Sequence, residues 1–190
     1  KGTEHFMSDL HGAYDSFFHI LNNCSGVIKE KVDYCFGERM TEEDKAEFCT
    51  LIYYPREKVE QQTAAGKATA IWYQQTIANL LELTKLMSWK LPASKMRSYI
   101  PKRYESVIVE LLNTHPKLDE AQLYYYKQLI ETIVEIGGGA DYIEAFSILI
   151  KRLAVERIHI VGDFYDRGDR PDGILDLLME HPSVDIQWGN

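Results

Sequence analysis

The chain has 190 residues, 45% of them hydrophobic and 26% charged, which suits one ordinary domain or a small domain carrying a large insertion and argues against disorder. Its formal net charge is −8 and it holds no run of Lys and Arg, so nucleic acid is not an expected partner. No apolar run is long enough to span a bilayer, and Lys1 to Phe6 contain no apolar signal region, so no membrane role is expected either. The chain opens on Lys1 rather than Met and is expected to be processed or trimmed.

In chain order, residues 4–8 read as a short strand that runs into Asp9-Leu10-His11-Gly12. A helix is expected from Ala13 to about Asn23, with Phe17, Phe18, Ile20 and Leu21 at helical spacing. The character then changes. Thr41 followed by Glu42, Glu43 and Asp44 reads as a capped helix start. Pro55 opens a long predicted helix reaching about Trp89, with Gly66 as an interruption inside it. Pro92 and Pro101 break the pattern. Further helices are expected over 103–113, from a cap at Asp119 to Ile136, and over 140–153, with Gly137-Gly138-Gly139 as a stop between the last two. The β-branched, alternating stretch 157–161 then predicts a second strand, 171–180 a helix, and 184–188 a third strand. The expected organisation is discontinuous: an α/β core from 1–24 and 155–190, and an all-helical insertion over 25–154. An insertion that long should fold as its own subdomain.

The three cysteines, Cys24, Cys35 and Cys49, are odd in number and form no Cys-x-x-Cys pair. They read as buried or reduced thiols of a cytoplasmic protein. Tyr124, Tyr125 and Tyr126 form an aromatic run on a predicted helix and read as core and subdomain interface. His5 and His159 fall inside strands and His19 on a helix, while His115 and His181 each precede a proline. None of the five is assigned to the site. Asp169 and Arg170 read as solvated loop.

Three polar clusters share a position. Asp9 and His11 follow the first strand, Asp163 the second and Asn190 the third. Ligands of open α/β sheets bind beyond the carboxyl ends of the strands, so folding is expected to bring these residues to one sheet edge. Carboxylate, imidazole and amide oxygen together suit Mn²⁺, Fe, Zn²⁺ or Mg²⁺ better than a soft copper site. Asp163 can bridge two ions, and two ions about 3.5–4 Å apart can clamp a phosphoryl group for in-line attack. In Gly162-Asp163-Phe164-Tyr165-Asp166-Arg167-Gly168, Arg167 offers a planar fork that matches phosphate oxygens. Asp166 is placed to orient a neighbouring histidine. Asp-x-His-Gly or Gly-Asn alone is a weak signal. The full string from Gly162 to Gly168, in this order with the other two, is specific.

At these residues the sequence resembles the calcineurin-like metallophosphoesterases, whose pattern is Asp-x-His, then Gly-Asp-x-x-Asp-Arg-Gly, then Gly-Asn-His. The first two motifs are complete here, and the third is cut after Gly189-Asn190. The large helical insertion is similar to the layout of the class III, Firmicutes-type fructose-1,6-bisphosphatases. So are the stretches Ser8 to Tyr14, Leu21 to Ile28 and Val184 to Asn190. The resemblance covers essentially the whole chain. It implies an α/β fold: the N-terminal part of a metallophosphoesterase sandwich interrupted by a large all-helical insertion. It implies an enzyme of gluconeogenesis that removes the 1-phosphate of fructose 1,6-bisphosphate using two divalent metal ions, with Mn²⁺ favoured. Carried over by position, Asp9 and His11 would bind the first metal, Asp163 would bridge both, and Asn190 would bind the second. Arg167 would contact phosphate and Asp166 would support the histidine after Asn190. That histidine and two later ones are absent from the 190 residues, so this piece alone is expected to be inactive or nearly so. The expected partner is a small sugar phosphate, and the helical insertion is a candidate surface for homo-oligomerisation. A protein Ser/Thr phosphatase or a dinucleoside polyphosphate hydrolase on the same two-metal core is the alternative. A regulatory module with a vestigial site is a third reading, against which the intact Asp9, His11, Asp163 and Arg167 argue.

Overall fold

A computed structural model describes residues 3–115 and 119–189. It divides into two compact units, Lys1–Ile28 with Lys151–Asn190, and Lys29–Ile150. The class is mixed α/β: a three-stranded parallel sheet in a chain that is mostly helical.

The first unit holds β1 (Glu4–Ser8), α1 (Tyr14–Asn23), β2 (Arg157–Gly162), α10 (Pro171–Glu180) and β3 (Val184–Trp188). All three strands fall where the sequence reading expects them. They run parallel in the order β1-β2-β3, with His5 opposite Ile158 and Ile160 opposite Ile186. Ile158 and Ile160 point to one face and are fully buried, as are Phe17 of α1 and Ile174 and Leu178 of α10. Sequestering an aliphatic or phenyl side chain of this size contributes about 1.5–3 kcal/mol, so these few residues account for much of the unit's cohesion. The opposite face carries Phe6, His159 and Asp185 in register. His159 stacks on Phe6 with centroids 4.3 Å apart and lies 3.2 Å from Asp185. Phe6 is 68% exposed, so this face is open to solvent.

The second unit is helical. It contains α3 (Glu42–Tyr53), α4 (Pro55–Ala64), α5 (Ala70–Ser88), α6 (Ala93–Tyr99), α7 (Glu105–Asn113) and α8 (Glu120–Glu135). Its boundaries fall in α2 (Val27–Phe36) and α9 (Gly139–Ala154). Thr41 and Asp119 cap as expected: each side chain accepts a backbone N–H, from Asp44 and Gln122 respectively. The predicted single helix from Pro55 to Trp89 is in fact two. Gly66 takes φ +67°, a left-handed conformation that ends α4, and Thr69 caps a fresh start at Ala70 by accepting from Trp72 N–H. α2 and α6 were not foreseen. α5 is the spine of this unit, burying Ile77, Leu80, Leu81 and Leu83. The tyrosine run is corrected as well: Tyr124 and Tyr125 are exposed, and only Tyr126 turns inward, where burial pushes its hydroxyl up to about 12. The three cysteines form no disulfide, and burial pushes the Cys24 thiol up to about 12 and that of Cys49 to about 11. Burial thus keeps both thiols protonated near neutral pH. Among the described residues, no helix is long and apolar enough to cross a membrane.

Two histidines in the first unit are held below their ordinary pKa. His5 lies on the covered face of β1, and neither ring nitrogen has a hydrogen-bond partner among the described residues. Burial lowers it. His181 has Nδ1 3.0 Å from the Ser183 carbonyl and Nε2 3.1 Å from that of Val155. Burial outweighs both carbonyls and lowers it too, helped by the charges of Arg152 and His5. A histidine with a depressed folded pKa contributes its full stability above the unfolded value of 6.5, and that stability is lost as pH falls through the folded value. Urea unfolding of this unit should therefore show a midpoint that drops as pH is lowered from 7.5 to 5, and His181→Gln should flatten that slope. A midpoint independent of pH over this range would contradict the assignment.

Candidate metal centre

The site is built where β1 and β2 end. Parallel pairing does not stop with the strands but continues through the two loops. Asp9 N–H donates to the Val161 carbonyl (3.2 Å), His11 N–H to that of Asp163 (3.1 Å) and Gly12 N–H to that of Phe164 (3.1 Å). Each of these donors carries, or adjoins, a side chain that the sequence marks for chemistry. The backbone bends sharply to allow it: among the described residues, non-glycine positions at positive φ are Asp9 (51°), His11 (46°), Arg167 (73°) and Cys24 (47°). Three of the four lie in this site. Left-handed backbone at such residues costs on the order of 1–3 kcal/mol each and persists only where surrounding bonds over-determine it.

The motif glycines set the spacing. Gly162 has φ +110°, and a Cβ there would run into the Asp9 carboxylate. A Cβ at Gly168 would run into the His11 carbonyl and the backbone of Gly12, so the two loops touch directly. The backbone of Gly189, beyond β3, packs against Asp163 and Gly162, which brings the end of the third strand to the same edge. Asn190, expected at that edge, lies outside the described residues.

His11, Asp163 and Asp166 each offer a ligand atom, and the three atoms lie within 4.8 Å of one another. One imidazole nitrogen with two carboxylate oxygens is a hard, mixed donor set that fits a divalent cation. Asp9 is not one of the three. Its Oδ1 accepts from Asp163 N–H (3.3 Å), so it braces the loop that carries Asp163. Asp166 was expected to support a histidine following Asn190, which lies beyond the 190 residues. The histidine that it meets here is His11, whose Nδ1 pairs with Asp166 Oδ1. That hydrogen bond, with the charges of His11 and Arg167, holds the Asp166 carboxyl below the usual carboxylate range, so it stays ionised across the physiological range. Arg167 lies with Nε 3.2 Å from Asp166 Oδ2 and its side chain 81% exposed, accessible to a ligand at the rim. A cavity of about 730 Å³ opens between Asp163, Asp166 and the exposed end of β3 at Trp188.

Sequence reasoning found every residue of this cluster but not its internal pairing. His11 and Asp166 are 155 positions apart, and nothing in the string says which carboxylate the imidazole will meet. The left-handed backbone at Asp9 and His11 was equally hidden, since neither is glycine.

The Firmicute fructose-1,6-bisphosphatase family model matches residues 1–190. The chain is 46% identical over 190 residues to a protein of Clostridium acetobutylicum named fructose-1,6-bisphosphatase class 3, covering 100% of this chain and 28% of that protein. It is 44% identical to a protein of the same name from Clostridioides difficile, covering 100% of this chain and 29% of that one. For the protein of that name from Clostridium tetani the identity is 46%, with 100% and 28% covered. The chain thus spans between a quarter and a third of the length of these curated relatives. No solved structure matches it significantly.

The close approach of Gly162 to Asp9 generates a test. Gly162→Ala should destabilise the first unit by about 1–3 kcal/mol, because the new methyl meets a carboxylate and φ leaves the range of L-residues. Urea unfolding measures it. A change within about 0.5 kcal/mol, the range of a surface substitution, would show that the loops do not approach as described.

Proposed function

Because this chain belongs to the Firmicute fructose-1,6-bisphosphatase family, we propose that the protein of which it is part hydrolyses the 1-phosphate of fructose 1,6-bisphosphate to fructose 6-phosphate in gluconeogenesis, with divalent metal ions and Mn²⁺ as the favoured one. The observation that carries this reading is the convergence of His11, Asp163 and Asp166 at the carboxyl end of a parallel sheet. In this proposal residues 1–24 and 155–190 are the N-terminal part of a metallophosphoesterase sandwich, and 25–154 is a helical insertion. Parallel sheets are normally covered on both faces, and the solvent-open face bearing Phe6 and His159 supports a second layer supplied by the remaining length of the protein. The substrate is a small sugar phosphate and the location cytoplasmic. The isolated 190 residues are not expected to turn it over.

The roles follow from chemistry. Asp9 and His11 would hold one ion, Asp163 would be the ligand common to both, and Asn190 would serve the other. Asp166, ionised and paired with His11 Nδ1, fixes the imidazole so that Nε2 is available as a ligand. When bound, the ions supply positive charge and Lewis acidity at the reacting phosphate. Arg167 donates to the equatorial phosphate oxygens, where charge develops as the bond to the leaving oxygen breaks. Its tie to Asp166 limits the conformational freedom lost on binding.

Phosphate release by the full-length protein tests the proposal. With Mn²⁺, turnover of fructose 1,6-bisphosphate should exceed that of a phosphopeptide and of a dinucleoside polyphosphate, and a chelator should abolish it. Asp163→Asn should lower turnover about 100-fold or more and reduce bound metal. Preference for the phosphopeptide or the dinucleotide would keep the metal core and discard the sugar bisphosphate.

A further inference from the structure

Beside the metal centre lies a second, smaller cavity of about 330 Å³ that no role above uses. It opens between the start of α1 and the loop after Gly168, and Tyr14, Asp15, Ser16, Arg167, Asp169 and Arg170 line it. Arg170 is held there in two independent ways. Its backbone N–H donates to the Gly12 carbonyl (3.3 Å). Its guanidinium lies over the Tyr14 ring, 4.1 Å from the centroid, and that ring is itself stacked on Phe18. Gly173 of α10 makes room: a Cβ there would come within 2.9 Å of the Tyr14 ring and 3.3 Å of the Arg170 guanidinium. Arg170 is exposed yet rests on an aromatic platform, three residues from the arginine paired to Asp166.

We propose that Arg170 binds the phosphate that is not cleaved, making this cavity the seat of the far end of a sugar bisphosphate and Arg170 a determinant of bisphosphate specificity. The inference rests on the sugar-bisphosphatase reading above and deepens it. Arg167 touches Asp166 of the metal cluster and also lines the second cavity, so the two places adjoin. A planar guanidinium matches phosphate oxygens with two parallel donors. Asp15 and Asp169 share the lining with the arginines, so the cavity carries no excess of positive charge and is not a general anion trap. Carboxylates accept from sugar hydroxyls, so the mixture suits a polyol ending in phosphate better than inorganic phosphate or a polyphosphate.

The test uses the full-length protein and two substrates, fructose 1,6-bisphosphate and p-nitrophenyl phosphate, which has no second phosphate. Arg170→Gln should raise KM for the bisphosphate about 10- to 100-fold, the loss expected of a charge-assisted contact, with a much smaller rise for the monoester and little change in kcat. Arg170→Lys, which keeps the charge and the backbone tether, should recover part of the loss. An equal KM effect on both substrates, or a fall in kcat on both with KM unmoved, would overturn the proposal by showing that Arg170 acts only through the fold. No bisphosphatase turnover by the unsubstituted protein would instead remove the parent reading. Turnover with no KM change in Arg170→Gln would remove this inference alone.

Discussion

Everything at this site depends on the continuation of parallel hydrogen bonding past the ends of β1 and β2. The bonds from Asp9, His11 and Gly12 to the carbonyls of Val161, Asp163 and Phe164 lock together two loops far apart in sequence. They impose the left-handed backbone at Asp9 and His11, and they require glycine at 162 and 168 for the loops to touch. Without them the imidazole and the two carboxylates would sit on separate mobile loops, and the mutual repulsion of Asp163 and Asp166 would drive them apart. Net stability in a protein is only about 5–15 kcal/mol, so holding three strained backbone positions and a carboxylate pair uses a considerable part of it. A bound cation would offset the carboxylate repulsion, because it binds the folded arrangement and not the open chain.

The second and third strands were legible because they carry β-branched residues and run into glycine, whereas the first, Glu4 to Ser8, has neither mark and was read from its place before Asp9-Leu10-His11-Gly12. Arg157 to Val161 reads as a strand in any context, and the structure extends it by one residue. Helix starts were legible where a side chain marks them, as at Thr41 and Asp119. The break between α4 and α5 was legible only as a doubt at Gly66, because the flanking segments each have helical composition; the left-handed φ of Gly66 and the Thr69 cap turn that doubt into two helices. The tyrosine run misled for a related reason. On a helix, adjacent residues point about 100° apart, so three in a row cannot share one buried face, and only Tyr126 turns inward. At the site, His11, Asp163 and Asp166 were all singled out by residue type and order, Asp166 as a support for a histidine and not as a donor. Their pairing followed from loop geometry that the string does not encode, which is why the His11 partner and the seating of Arg170 on Tyr14 came only from the structure.

The two faces of the sheet are buried unequally. One buries His5, Ile158 and Ile160, with Phe17 of α1 and Ile174 and Leu178 of α10 buried in the same unit, although Ile186 and Trp188 of the edge strand stay exposed on it. The other carries Phe6 at 68% and Val161 at 37% exposure. His11, Asp163 and Asp166 converge within the loops 9–12 and 162–167, whereas the full reaction is proposed for the longer protein.

That separation is open to direct measurement on the 190-residue chain. Mn²⁺ is paramagnetic and broadens the amide signals of nearby residues, so a titration of ¹⁵N-labelled protein below one equivalent maps where the ion sits. The account predicts early loss of signals from residues 9–12 and 163–167, restored by a chelator and absent in Asp163→Asn. Broadening centred elsewhere, for instance on the acidic start of α3 at Glu42, Glu43 and Asp44, with the loop signals intact, would contradict it.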